Sequence, residues 1–270
     1  MQWWEALLMG IVQGLTEFLP VSSSGHLMIS RELFGVSSEG FLDFTVTAHF
    51  ATVLSTVFVF WKAIWQIFKG VFKFKYNDET DYFLKICVSM IPVAIVGFCF
   101  KDFVESLFND TLEVVGIFLC VTAFLLTFSD LFTKYVKIKN DYRNGISYWQ
   151  ALLIGFGQAL AVAPGLSRSG TTIATGLVSG VKRENMAQFS FLMVLMPILG
   201  EQFLSILDMM GADAATQSAG VGITALIFGF IGAFVAGLFA CKTMVALVRK
   251  AKLSWFALYC LIVALLIFEL

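Results

Sequence analysis

Six long apolar segments dominate the chain, at roughly 41–61, 84–100, 112–133, 187–207, 220–241 and 254–269. Each approaches the roughly 20 apolar residues that cross a bilayer core, and each predicts a spanning helix. Two more apolar stretches, 3–34 and 148–181, are interrupted near their centres by FLPVSSSGH and APGLSRSGTT. Proline, glycine and serine runs end a helix. Broken backbone at membrane depth survives only where protein or water satisfies it. Each stretch is too short to cross twice with a full loop between. The pattern predicts an all-α polytopic membrane protein, with six transmembrane helices and two re-entrant helical hairpins.

Composition agrees with this pattern. The chain is 59% hydrophobic and 14% charged, with a mean hydropathy of +0.85, which excludes a globular domain carrying one added anchor. No hydrophilic segment is long enough to fold separately, so residues 1–270 are expected to form a single integral membrane domain. A net charge of -1 gives no footing for nucleic acid. The five cysteines lie in or beside apolar runs without a CxxC pair and are expected to pack as small apolar residues. The first segment, MQWWEALL, lacks a basic leader and a small-residue cleavage pattern, and is expected to be retained.

Charge orients the layout. Of the 18 lysines and arginines, 15 fall in the loops 62–85 and 134–143, after the second hairpin, or before the last helix. Alternation of the spans puts all of these on one side, and the positive-inside rule makes that side cytoplasmic. Both termini are then outside. The segments 101–110 and 208–219, on the other side, carry a single lysine, Lys101.

An internal repeat refines the arrangement. A shift of 145 residues aligns 4–25 with 149–170 without gaps and matches ten positions, among them Gly10/Gly155, Gln13/Gln158, Ser22/Ser167, Ser24/Ser169 and Gly25/Gly170. Repeat one covers about 1–133 and repeat two about 146–270. Each holds one hairpin and three spans, an odd number, so the halves have inverted topology. The first hairpin enters from outside, the second from the cytoplasm, and their tips are expected to meet near the midplane. Glycine and alanine at four-residue spacing (Gly229, Ala233, Gly237; Gly10, Gly14) provide for close helix packing.

Ionisable groups inside a membrane are expensive and mark function. Glu17, His26 and Arg168 flank the serine-rich tips, whereas His49 at the start of a span is expected to pack through a hydrogen bond. Gln13 and Glu17 share a helix face just before Pro20. That pair can ligate a divalent cation, serve as a base, or neutralise Arg168. Ser22, Ser23 and Ser24 precede Gly25 and His26 at the start of a second helix, where serines cap and free N–H groups bind anions. A serine nucleophile with a histidine base, a histidine acid, or plain capping all fit this spacing. Ser167, Arg168, Ser169, Gly170, Thr171 and Thr172 form the counterpart, with a guanidinium fork and hydroxyls suited to phosphate oxygens. Together the tips suit phosphoryl transfer on a substrate with a phosphate head and a hydrocarbon tail, reached laterally from the lipid.

These residues resemble the undecaprenyl-diphosphatases of bacteria, also called bacitracin-resistance proteins. The resemblance covers nearly the whole chain. It rests on Gln13-Gly14-Leu15-Thr16-Glu17 followed by FLPVSSSGH, and on PGxSRSxxT from Pro164 to Thr172. It implies hydrolysis of undecaprenyl diphosphate to the monophosphate and phosphate, recycling the carrier for cell-wall polymers and conferring bacitracin resistance. By resemblance, Glu17 is an essential acid and metal ligand. Ser23 and His26 form a nucleophile or proton-transfer pair, and Arg168 clamps the diphosphate. Gln13, Ser22, Ser24, Ser167, Ser169, Gly170, Thr171 and Thr172 complete the binding set. The expected cofactor is a divalent cation, Mg2+ or Ca2+, held by Glu17 and Gln13. The expected partners are a polyprenyl diphosphate and membrane lipids, with a homodimer a candidate assembly. The expected location is the bacterial inner membrane, with the site opening to the periplasm. Gln13 stands where many members carry Glu, and an amide cannot act as a base at neutral pH. Acid-phosphatase-like lipid phosphatases need a histidine after their Ser-Arg element, and none follows Arg168. A polyprenyl-phosphate flippase would use the same phosphate cradle and is the alternative reading.

Overall fold

The structure, a computed structural model, describes residues 1–100, 112–135, 142–211, 221–250 and 252–269. The expected connection 101–110 with Lys101, most of 208–219, and Lys137 and Lys139 lie outside the described residues. The described residues form helices and turns, without strands. The helices are α1 (Trp3–Phe18), α2 (Ser23–Phe34), α3 (Ser38–Val59), α4 (Trp61–Val71), α5 (Asp78–Cys99), α6 (Leu112–Phe132), α7 (Tyr148–Leu160), α8 (Arg168–Val178), α9 (Arg183–Gly211), α10 (Ile223–Lys250) and α11 (Ser254–Glu269).

Among the described residues four segments are long and apolar enough to cross a membrane: Gly40–Val59, Asp78–Cys99, Leu112–Phe132 and Ile223–Val248. They correspond to four of the six expected spans, and the architecture is that of an all-helical polytopic membrane protein. α9 covers the segment 187–207, and α11 is a shorter apolar helix over 254–269.

The segment 62–85, expected as a basic loop, is largely helical. Apolar residues at three- and four-residue spacing build α4, and α5 begins at Asp78, not near 84. Asn77 fixes that start, because its Oδ1 accepts the Thr80 N–H at 2.7 Å and acidic residues fill the first turn. Lys85, expected in the loop, is buried in α5 beside Asp81. The Tyr76 and Tyr148 hydroxyls also donate to Asp81, which ties α5 to the start of α7.

Both interrupted stretches are broken helices. Leu19, ahead of Pro20, is extended and ends α1, since a residue before proline avoids helical dihedrals. Ser22 then caps α2, its Oγ accepting the Gly25 N–H at 3.3 Å. In the second stretch α7 ends near Ala161, and Ser167 caps α8 by accepting the Gly170 N–H at 3.1 Å.

Close packing follows the small residues. α1 lies on α10, and α7 lies on α5. A Cβ at Gly10 would overlap the Gly229 carbonyl, and one at Gly155 would overlap the Ser89 carbonyl. Only glycine admits such contact between helix backbones.

Candidate active site

The two broken helices bring their turns together, with their joining contacts in matched pairs. Gly25 backs onto Gly165 while Gly170 backs onto Pro20. Each pair becomes the other under the 145-residue shift. Ser169 Oγ donates to the Leu19 carbonyl at 3.0 Å, and Ser24 Oγ accepts the Gly165 N–H at 3.5 Å. Flanking helices hold the turns from outside. Thr122 of α6 accepts the Ser167 N–H at 3.0 Å, and Cys260 of α11 reaches the Pro20 carbonyl at 3.7 Å.

Glu17 lies at this junction, on the last turn of α1, with a side chain only 8% exposed. Its Oε2 accepts the Gln13 amide at 2.9 Å and the Ser23 hydroxyl at 2.6 Å. Its Oε1 accepts Arg168 Nη2 at 3.1 Å, an ion pair between one turn and the other. His49 of α3 adds Nε2 at 3.7 Å from Oε2. The carboxylate is therefore ringed by donors, as a buried charge must be.

Beside this pair lies a cleft lined by Glu17, Arg168, Ser169, Thr52, Thr56 and Ser190, among apolar neighbours from α3 and α9. Its free volume is ≈ 20 Å³, room for about one water. The Glu17–Arg168 bond is a polar contact across its wall.

The other sequence-predicted residues divide into groups. Ser22 and Ser167 are caps, and Ser22 adopts φ +69, a left-handed conformation uncommon outside glycine. That backbone turn sets Ser23 toward Glu17. Thr172 bonds the Ser190 hydroxyl at 2.6 Å, tying α8 to α9. Thr171 Oγ1 is buried and has no partner. The His26 ring nitrogens are engaged elsewhere than on Ser23: Nδ1 contacts the Ser22 carbonyl at 2.7 Å, Nε2 contacts the Tyr259 hydroxyl at 2.8 Å, and the ring stacks on Tyr259. The Ser23 hydroxyl is directed to Glu17, which takes the place expected for the histidine.

Two residues join the site that sequence reasoning set aside or missed. His49, expected to pack, does bond the Thr45 carbonyl at 2.9 Å, yet its other nitrogen faces Glu17. The signal was present: His49, Thr52 and Thr56 form a polar stripe along one face of an apolar helix. Tyr259 carried no such signal, since it sits in an otherwise apolar run.

The donor set bears on a cation. Gln13 Oε1 is buried without a partner, on the same amide whose Nε2 donates to the Glu17 carboxylate that also accepts the Ser23 hydroxyl. One carboxylate, one amide carbonyl and one hydroxyl fit a hard cation that shares its remaining positions with phosphate oxygens and water. Among the described residues no cluster of three or more His, Cys, Asp or Glu occurs, so a closed protein cage for a softer metal does not fit.

Comparison with known proteins agrees with the geometry. Over 265 residues the chain is 51% identical to an undecaprenyl-diphosphatase of Bacteroides thetaiotaomicron, covering 98% of this chain and 97% of that one. It is 52% identical over 266 residues to the undecaprenyl-diphosphatase of Parabacteroides distasonis, with 98% and 97% covered. A relative with the same name from Methanococcus vannielii is 40% identical over 264 residues, with 97% and 98% covered. The family model described as bacitracin resistance protein BacA matches residues 6–266, and the chain belongs to that family.

Proposed function

We propose that this protein hydrolyses undecaprenyl diphosphate to undecaprenyl phosphate and inorganic phosphate, recycling the lipid carrier of cell-wall synthesis and conferring bacitracin resistance. The observation that carries the reading is the meeting of Ser23 and Arg168 on the two oxygens of Glu17. A hydroxyl, a base and a phosphate-binding cation are thereby held within one hydrogen-bond radius.

In this reading the diphosphate enters between α3, α8 and α9 and draws Arg168 from Glu17 onto its phosphate oxygens. Arg168 neutralises charge that grows on those oxygens in the transition state. Ser23 Oγ attacks the terminal phosphorus while Glu17 accepts its proton. The anhydride bond breaks, and undecaprenyl phosphate leaves with that proton from Glu17, which is then free to act as base again. Water then cleaves the phosphoserine and releases phosphate, with Glu17 again handling the proton. Ser169, Gly170 and the start of α8 offer further donors to the phosphate. Glu17 and Gln13 would hold a divalent cation, Mg2+ or Ca2+, which when bound stabilises negative charge on phosphate oxygens.

The membrane setting follows from the same frame. α9 and α11 join the four long apolar helices as spans five and six, and the paired turns form re-entrant hairpins near the midplane. The two inverted halves are 1–133 and 146–270. The exchange of Gly25–Gly165 with Gly170–Pro20, and of α1 on α10 with α7 on α5, supports a two-fold relation between them. The basic loops set the orientation in the inner membrane, with the site opening to the periplasm. A flippase draws on no observation of its own, and the relatives quoted above are named as diphosphatases.

Phosphate release from a polyprenyl diphosphate by purified protein is the test, with Glu17→Ala, Ser23→Ala and Arg168→Ala beside the unaltered chain. Release with an added divalent cation, reduced by about a hundredfold or more in each variant, is expected. No release from well-folded protein under any such cation overturns the reading. Full activity in Ser23→Ala transfers the attack to water.

A further inference from the structure

The helix α4 has no place in the proposed chemistry, and it divides lengthwise into three faces. Trp61, Trp65, Phe68 and Phe72 recur at three- and four-residue spacing and form one exposed stripe, each about half exposed. Trp61, Trp65 and Phe68 stack in succession with centroids 6.0 and 5.6 Å apart, and Phe72 lies tilted against Phe68 at 4.4 Å. Ala63, Ile64 and Ile67 form the opposite face and pack on the core. Lys62 and Lys69 lie along the border of the aromatic stripe, and Lys73 and Lys75 continue the charge past its end.

Both ends of α4 are tied to spanning helices. It follows α3 through the single residue Phe60. Its far end docks on the start of α5, where Asn77 Nδ2 donates to the Gly70 carbonyl at 2.8 Å and Gly70 backs onto Glu79. The end of α3 and the start of α5 are consecutive span ends on the same membrane face, so α4 runs along that face. No acidic residue occurs from 60 to 77, and the described ion pairs engage none of the four lysines.

We propose that α4 is an in-plane anchor that binds an anionic phospholipid surface, with the aromatic stripe immersed at the headgroup boundary and Lys62, Lys69, Lys73 and Lys75 on the phosphate groups. Tryptophan prefers this depth, its ring apolar and its N–H wet. Lysine stems run along apolar surface while the ammonium stays in the polar layer, and Lys69 already lies 5.2 Å from the Trp65 ring centroid. An uncompensated basic run beside an immersed apolar face is the arrangement that attracts anionic lipid. The side of the membrane rests on the topology proposed above; the lipid contact does not, and it is read without hydrolysis.

The test uses the full chain in vesicles of phosphatidylcholine with and without phosphatidylglycerol. A background with Trp3, Trp4, Trp149 and Trp255 changed to Phe leaves Trp61 and Trp65 as reporters. Quenching by lipids brominated near the headgroup, stronger than by lipids brominated near the chain end, is expected. Native mass spectrometry of protein washed in mixed lipid should show phosphatidylglycerol retained over phosphatidylcholine by about fivefold or more, falling toward parity in Lys62→Gln/Lys69→Gln/Lys73→Gln/Lys75→Gln. Quenching by aqueous iodide but not by brominated lipid overturns the proposal. So does a phosphatidylglycerol preference unchanged in the lysine variant. Protection from both quenchers at a dimer mass assigns the stripe to a second copy and overturns it as well.

Discussion

Removing both charges of the Glu17–Arg168 pair should destabilise the protein by well under the sum of the two single removals. The oxygen–nitrogen distance is 3.1 Å, and the two side chains are 8% and 26% exposed. At an effective dielectric of about 20 the gross attraction is about 5 kcal/mol, which desolvation of both groups largely offsets. Glu17→Gln keeps the shape but leaves Arg168 without an anion, and a guanidinium cannot shed its proton. Arg168→Met leaves Glu17 with its Ser23 and Gln13 donors still in place. The first change should therefore cost about 3 kcal/mol and the second about 2 kcal/mol. The double variant should cost about 2–3 kcal/mol, short of their sum by about as much. Unfolding midpoints in mixed micelles across the four proteins measure this coupling directly, without reference to catalysis. Additivity within about 0.5 kcal/mol would mean that the pair is not a closed, desolvated bond, and would refute the view that a substrate phosphate replaces Glu17 on Arg168.

Gly10→Ala and Gly155→Ala each drive a methyl into a backbone carbonyl of the neighbouring helix and should cost about 1–3 kcal/mol in the same unfolding assay. Gly97→Ala, with nothing within 4 Å of the added carbon, should leave the midpoint unchanged or slightly raised. His49→Phe should lower phosphate release by about tenfold with little loss of stability, as a neighbour of the Glu17 carboxylate outside the core packing; unchanged turnover returns His49 to a packing role. Tyr259→Phe keeps the ring on His26 but removes the hydroxyl, and should reproduce the kinetic effect of His26→Gln if His26 acts through that bond.

The breaks at both turns were legible in the sequence because local chemistry dictates them. Pro20 and the cap serines stop and restart a helix wherever they occur, and the observed helices meet the predicted stretches nearly residue for residue. The approach of Glu17 and Arg168 was legible for a different reason: two opposite charges in apolar surroundings have few other ways to be satisfied. What escaped lay in tertiary packing or in a misread period. The 62–85 segment was read by its lysines, so the three- and four-residue spacing of its aromatic residues went unused and α4 was missed. Asp81 with Lys85, and Asp130, which accepts Arg183 and caps the start of α11, are buried charges whose partners come from distant segments. The pairing of His26 with Tyr259 joins residues 233 apart, and no local pattern announces it.

The two turns match in sequence while their chemistry differs. Ser23 and Arg168 are the first residues of α2 and α8, and they are equivalent under the 145-residue shift. They bond the two oxygens of one carboxylate, so Glu17 joins two residues that the shift exchanges. The position equivalent to Glu17 is Val162, and the one equivalent to His26 is Thr171. Gln158, the counterpart of Gln13, is buried with both polar side-chain atoms unpartnered, an amide kept without the acid it would serve. The matched sequence gives the two turns the same parts, a cap serine, a glycine and a helix start able to receive anionic oxygen, although Ser22 alone is left-handed. If both turns carried an acid, two buried carboxylates would repel each other; if both carried an arginine, no base would remain. Dividing the pair leaves one turn that binds phosphate and one that works on it. A diphosphate seated between them then meets different groups at its two ends, so the direction of cleavage is set by which half holds the acid.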